Sequence, residues 1–149
     1  MSVAAWNGHS EVTSALLAKG ADVHHKNNIR NTPLVLAAEK GHSEVTSVLL
    51  AKGADVNHAN NAGWSALMYA AQNGHSAVAS DLLAKGANVN HASNKGRSAL
   101  ILAAYNGHPE VAKQLLRGGA NKAAKDKSGK TALDWARSKN HPAVVALLQ

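Results

Sequence analysis

The sequence predicts an all-α solenoid of stacked helix-turn-helix units with hairpin or loop connections, about 4.5 repeats long. Three observations predict it. The first is self-similarity: Gly-His occurs at Gly8-His9, Gly41-His42, Gly74-His75 and Gly107-His108, with Asn140-His141 in the same register, a period of 33 residues. The second is composition: the 149 residues are 45% hydrophobic but only 3% aromatic, with no phenylalanine and abundant alanine. Cores usually lean on large rings, so these helices must approach closely through many small contacts. The third is the return of glycine and proline at fixed points of the period, which marks where helices start and stop.

The period lays out a single domain, 1–149, as a truncated unit 1–26, full units 27–59, 60–92 and 93–125, and a C-terminal cap 126–149. In the first unit the leading helix has room for little more than Ser2 to Asn7, and this end is expected to fray or to be the cut edge of a longer array. Its second helix begins a phrase, His-Ser-Glu-Val-Thr-Ser at 9–14, that returns at 42–47; Leu-Leu-Ala-Lys-Gly-Ala at 16–21 returns at 49–54 and 82–87. In the second unit Thr32 is placed as an N-cap and Pro33 at the first helical position, where a missing N–H costs nothing. Val45, Val48 and Leu49 then form one apolar helical stripe. Gly53, like Gly20 and Gly86, is placed to end that helix with positive φ. Arg30 stands at a hairpin glycine position, so the tip at 28–31 is expected to be distorted. Ser43, Ser65, Ser76 and Ser98 sit at helix starts or turns and read as capping residues. Pro109 and Pro142 open the second helices of the last two units, and Gly118-Gly119 with Asn121-Lys122 is expected to loosen the junction between them. Asn140 replaces glycine at the last inter-helix turn, as the residue that best tolerates the left-handed region after glycine.

Thr32-Pro33-Leu34-Val35-Leu36-Ala37-Ala38, Gly41-His42 and Gly53-Ala54-Asp55-Val56-Asn57 resemble the Thr-Pro-Leu-His-x-Ala, Gly-His and Gly-Ala-Asp-Val-Asn phrases of the ankyrin repeat family. The resemblance covers essentially the whole chain. It implies an ankyrin-repeat solenoid acting as a non-enzymatic protein–protein interaction module without a cofactor. In ankyrin-like arrays the partner lies on the hairpin tips and the exposed side of the first helix, together a concave surface. Carried over by register, the candidate contact residues are Trp6 in the first unit, Ile29 and Asn31 in the second, and Trp64 and Asn73 in the third. Lys95, Arg97, Tyr105 and Asn106 follow in the fourth, and Lys127, Lys130 and Lys139 in the last. Trp6, Trp64 and Tyr105 are the expected aromatic anchors, since aromatics are enriched at hot spots. Tyr69 and Trp135 fall where the helical stripe has leucine, and are expected in the core. Asn57 fits the family's pattern for asparaginyl hydroxylation, although its side chain is expected to serve the turn.

Charge is unevenly placed. Residues 1–92 hold 6 Lys+Arg against 6 Asp+Glu and residues 93–149 hold 10 against 3, so the whole net charge of +7 sits in the last two units. Such a patch steers acidic partners, and the expected ligand is an acidic protein or peptide bound by a monomer. Single-stranded nucleic-acid binding is a weaker alternative, because there is no arginine cluster and half the array is neutral. An engineered or structural scaffold without a natural ligand is the other.

The remaining chemistry is thin. No cysteine is present, which removes disulfides, thiolate catalysis and Cys-based zinc sites. His9, His42, His75, His108 and His141 repeat at the 33-residue period, and His25, His58 and His91 form a second series. Zinc needs its ligands about 2.0–2.1 Å away, whereas equivalent residues of stacked helices lie roughly 8–10 Å apart. No metal site is therefore expected; the first series is expected to hydrogen-bond adjoining backbone, and the second to lie at the surface or hairpins. No P-loop, Gly-x-Gly-x-x-Gly or His-Glu-x-x-His phrase occurs, and no acidic pair is singled out for acid/base work. No apolar run approaches a membrane span and no signal-type segment opens the sequence, so a soluble cytoplasmic protein is the expectation.

Overall fold

A computed structural model describes residues 1–149. It contains ten α-helices in five antiparallel pairs: α1 (Ser2–Trp6) with α2 (Ser10–Ala18), α3 (Pro33–Lys40) with α4 (Ser43–Ala51), α5 (Ala66–Asn73) with α6 (Ser76–Ala84), α7 (Ala99–Asn106) with α8 (Pro109–Arg117), and α9 (Ala132–Ser138) with α10 (Pro142–Leu148). First helices stack in one row, α1-α3-α5-α7-α9, and second helices in another, α2-α4-α6-α8-α10. No strand forms; the connections between pairs are tight turns, with one isolated antiparallel bridge between Ala92 and Ser98.

Hydroxyls start four of the five first helices. Thr32, Ser65 and Ser98 accept from Val35 N, Met68 N and Ile101 N at 3.4, 3.4 and 3.3 Å. Thr131 and Asp134 form a reciprocal capping box. Pro33, Pro109 and Pro142 occupy first-turn positions. Ser43 and Ser76 do not cap: the N-cap positions belong to His42 and His75, whose side chains make no cap bond. Ser43 Oγ instead donates to Asp81 Oδ2, 3.1 Å away on the next second helix. In the apolar stripe of α4, Val45 and Leu49 are buried, and Thr46 joins them in place of half-buried Val48.

Alanine sets the spacing between first helices. Ala37, Ala38, Ala70, Ala71, Ala103 and Ala104 are fully buried in one continuous core cluster, flanked by Leu34, Leu67 and Leu100. A methyl side chain at each crossing lets backbones approach to native packing density without large residues.

Four of the five periodic histidines, all but His9, lock one pair to the next. The Nε2 atoms of His42, His75, His108 and His141 lie 2.9, 3.1, 2.9 and 3.0 Å from the carbonyl oxygens of Trp6, Glu39, Gln72 and Tyr105. A carbonyl only accepts, so Nε2 carries the hydrogen in each case. Each ring lies over the glycine of the preceding inter-helix turn, where a Cβ on Gly41 would stand 2.5 Å from His75 Nδ1. The second series does similar work at the tips, His58 Nε2 reaching the Arg30 carbonyl at 2.6 Å and His91 Nε2 that of Gly63 at 2.8 Å. Asn57 bridges units rather than serving its own turn, accepting from Asn88 N at 2.8 Å and donating to the Gly86 carbonyl at 3.3 Å.

Two expected irregularities are absent. Arg30 adopts the left-handed conformation (φ 65°) of the tip glycines, and its N–H closes the turn on the Asn27 carbonyl at 2.8 Å, as Gly63 does on Asn60 at 2.9 Å. The tip at 28–31 therefore keeps its shape, and strain resides in Arg30. Before the junction of the last two units Gly119 (φ 90°) ends its helix turn, Lys127 N donates across the junction to the Lys95 carbonyl at 3.0 Å, and Asn121 N donates back to Asn90 Oδ1 of the third unit at 2.8 Å. Asn88 makes the same bond to Asn57 one unit earlier, so the register is unbroken.

Candidate functional site

The hairpin tips are built by one device. At the entry of each tip a side-chain oxygen accepts two backbone N–H groups across the turn. Asn27 Oδ1 takes Ile29 and Asn31, Asn60 Oδ1 takes Ala62 and Trp64, Ser93 Oγ takes Lys95 and Arg97, and Asp126 Oδ1 takes Ser128 and Lys130. Neighbouring tips are joined by Asn61 N to the Ile29 carbonyl, Asn94 N to Ala62 and Lys127 N to Lys95, at 3.0–3.1 Å. Side chains at equivalent tip positions therefore stand in a row beside the first helices.

Two entry residues also grip a ring on the first helix. Asn60 Nδ2 donates to the Tyr69 hydroxyl at 3.1 Å, and Trp135 Nε1 donates to Asp126 Oδ2 at 2.7 Å. Each gripped ring meets a second aromatic: Trp64 and Tyr69 centroids are 4.8 Å apart, tilted by 51°, and Tyr105 and Trp135 are 5.0 Å apart, nearly edge to face. These are favourable geometries for aromatic pairs.

The two aromatic pairs differ in charge. Around Tyr105 and Trp135, Lys130 Nζ lies 4.2 Å from the Trp135 centroid, Lys139 Nζ 4.5 Å from that of Tyr105, and the Arg97 guanidinium 5.3 and 5.5 Å from the two. Lys139, by hydrogen bond and charge, outweighs slight burial and with Arg97 holds the Tyr105 phenol below its ordinary value. Burial pushes the Asp126 carboxyl up, but hydrogen bonds from the Ser128 hydroxyl, Trp135 and the Lys130 and Ser128 backbone outweigh it and hold the group below the usual carboxylate range. Arg97 Nε stands 3.9 Å from Asp126 Oδ2, the one ion pair in the protein.

A family model described as ankyrin repeats (3 copies) matches residues 1–93 and 80–149. The chain belongs to the ankyrin repeat family. Ankyrin repeats are generally protein–protein interaction modules and are typically non-enzymatic. No curated protein matches the chain. No helix is long and apolar enough to cross a membrane.

The candidate residues fall into three groups on the ankyrin array. Arg97, Tyr105, Lys130 and Lys139 come together around Trp135, with exposed Lys95 and Lys127 on the adjoining tips. Trp64 is half-buried against Tyr69, with exposed Asn73 at the end of the same helix donating to the Glu39 carbonyl at 3.0 Å. Trp6, 37% exposed, lies apart under the Lys40 ammonium, 3.8 Å from its centroid, and Ile29 is an exposed tip residue. Asn106 is exposed but turns its amide back to the Leu102 carbonyl at 2.9 Å. Asn31 is a correction. It is 2% exposed and its Oδ1 accepts from Asn60 Nδ2 at 2.8 Å, so it supports the next tip and offers nothing to a ligand.

Tyr69 and Trp135 are corrections in the other direction. Neither enters the core; both are half-buried and bring a ring onto the face that the stripe was expected to hide. Asn60 and Asp126 were not singled out either. A signal was present: each stands nine residues before its ring, 66 residues apart, whereas the intervening unit has Ser93 and Leu102 at those places.

Proposed function

We propose that the protein is a non-enzymatic binding module whose hairpin-tip and first-helix face, the concave side of the array, holds an acidic protein or peptide. One observation carries this reading. The framework phrases of the first three units recur closely, but two registers of this face change in every unit. The register of Asn31 holds Trp64, Arg97 and Lys130 in turn, and that of Trp6 holds Glu39, Gln72, Tyr105 and Ser138. Chemistry thus varies at these two registers, and five of the nine side chains there are aromatic or cationic.

The reading gives the ligand a direction. Its middle meets Trp64 and Tyr69 beside neutral Gln72 and Asn73, and its acidic part meets the cations around Tyr105 and Trp135. A displayed random-peptide library tests this: the protein should enrich peptides with carboxylates at one end and an apolar residue towards the other. Trp64→Ala should weaken a selected peptide by about 1–2 kcal/mol. Binding indifferent to Trp64 and Tyr105, or enrichment of basic peptides, would sink the proposal.

A further inference from the structure

We infer that the basic end of this face, around Tyr105 and Trp135, is a subsite for one compact dianion displayed by the partner: a phosphorylated side chain. The inference rests on the protein-binding reading above and specifies the chemistry of its acidic end. Lys95, Arg97, Lys127 and Lys130 line one open cavity of about 280 Å³ with Trp135 and Ser128 at its wall. Its only carboxylate, Asp126, is 7% exposed and already accepts from Trp135, Ser128 and Lys130. Asp126 reaches Arg97 only at 3.9 Å, so at least three of the four cations have no internal anion.

Two of these cations, Arg97 and Lys130, are also held in place, with Lys139 beside them. Lys130, Arg97 and Lys139 each lie within 5.5 Å of the centroid of a ring in one aromatic pair, and Asp126 fixes the Trp135 ring from below. Part of the side-chain entropy that a free lysine loses on binding is therefore already lost, which favours a ligand able to use several donors at once. A carboxylate brings one charge and two oxygens. A phosphomonoester brings nearly two charges and three acceptor oxygens, and guanidinium and ammonium groups match it with short charge-assisted bonds.

The basic surface is one subsite long. One unit back, Ala62 and Trp64 stand in the register of Lys95 and Arg97, and residues 1–92 carry no net charge. A nucleic acid needs a basic track together with free ring faces on which bases stack. Here Lys130, Lys139 and Arg97 occupy the faces of the rings. A single phosphate group on a protein fits both facts.

The test titrates isotope-labelled full-length protein with O-phosphoserine, glutamate and a phosphodiester dinucleotide at about 0.15 M ionic strength, where diffuse surface attraction is screened beyond roughly 8 Å. Phosphoserine should shift the Trp135 indole and the Arg97 and Lys130 amides saturably, at least about tenfold tighter than glutamate, the worth of one charge-assisted hydrogen bond. Arg97→Gln and Lys130→Gln, both half-exposed side chains, should each weaken it by a similar factor while unfolding stays cooperative. Equal response to phosphoserine and glutamate, indifference to both substitutions, or tighter binding of the dinucleotide would overturn the subsite. Loss of the subsite alone would leave Trp64-dependent peptide binding intact, whereas failure of the protein-binding reading would abolish peptide binding while phosphoserine still bound.

Discussion

At the tip-entry position occupied in turn by Asn27, Asn60, Ser93 and Asp126, turn geometry asks only for a side-chain oxygen. Asp126 does more, because its second oxygen takes the indole N–H of Trp135 at 2.7 Å. An asparagine there would keep the turn but present an amide N–H to the indole N–H. Asp126→Asn should therefore cost about 1–3 kcal/mol at neutral pH, the usual penalty for a lost hydrogen bond to a charged group with a partner left unpaired. The pH dependence has a fixed sign. Asp126 titrates below its unfolded value of about 3.9 in the folded protein, so its contribution is present above about pH 4 and is lost as pH falls through the lower folded value. The stability gap between wild type and variant, measured by urea unfolding, should narrow between pH 5 and pH 3 or below. A gap independent of pH would mean that the carboxylate charge is not what Trp135 senses. The same scale shows why Tyr69 and Trp135 escaped the sequence reading. They share a stripe position with Leu36 and Leu102, which are only 8% and 1% exposed, so a leucine is covered there. A leucine ends there; a ring of greater length overshoots it and reaches the tip. Residue type at a repeat position fixes the backbone, but the reach of the side chain decides which surface it serves, and Asn31 errs the opposite way by being too short to leave the tip's underside.

Helix boundaries were legible because backbone constraints act directly on residue type. Thr32-Pro33, the glycines at 20, 53 and 86, and Asn140 (φ 59°) each meet a requirement that few side chains satisfy. Arg30 shows the limit of that logic: the tip keeps its left-handed turn without glycine, because Asn27 and the bond from Asn61 to Ile29 hold it from both sides. The inter-helix glycines have a second constraint that the pattern alone did not expose, the imidazole of the next pair lying over them. Asn140 carries a side chain in the same conformation with no ring above it. Gly41→Ala should thus cost about 2–4 kcal/mol, combining left-handed strain with displacement of His75 from the Glu39 carbonyl. Adding His75→Ala removes the obstruction, so the double variant should lose less than the two single variants together in denaturant unfolding. Strict additivity would show that the ring yields freely and that the Gly-His pair is not a lock.

Across the whole molecule, stacking makes a nearly uniform framework while charge divides it: the neutral stretch 1–92 against +7 in 93–149. The division separates two tasks. On the proposed binding reading Lys130 and Lys139, set on the Trp135 and Tyr105 rings, serve contact, whereas Lys95 and Lys127, at the rim of the cavity, are exposed and without a ring beneath them. Free surface cations change encounter rates more than residence times, since their field acts before docking and is screened by salt. Lys95→Gln with Lys127→Gln should slow association of a selected acidic peptide several-fold at low ionic strength, leave dissociation nearly unchanged, and flatten the dependence of the on-rate on salt. Trp64→Ala should do the reverse, speeding dissociation with little effect on association, as expected when packed contacts set residence time. Stopped-flow measurements of both variants at two salt concentrations separate these effects. If the lysine variant instead dissociated faster at an unchanged on-rate, Lys95 and Lys127 would belong to the docked interface, and the steering role would pass to the remaining cations of the last two units.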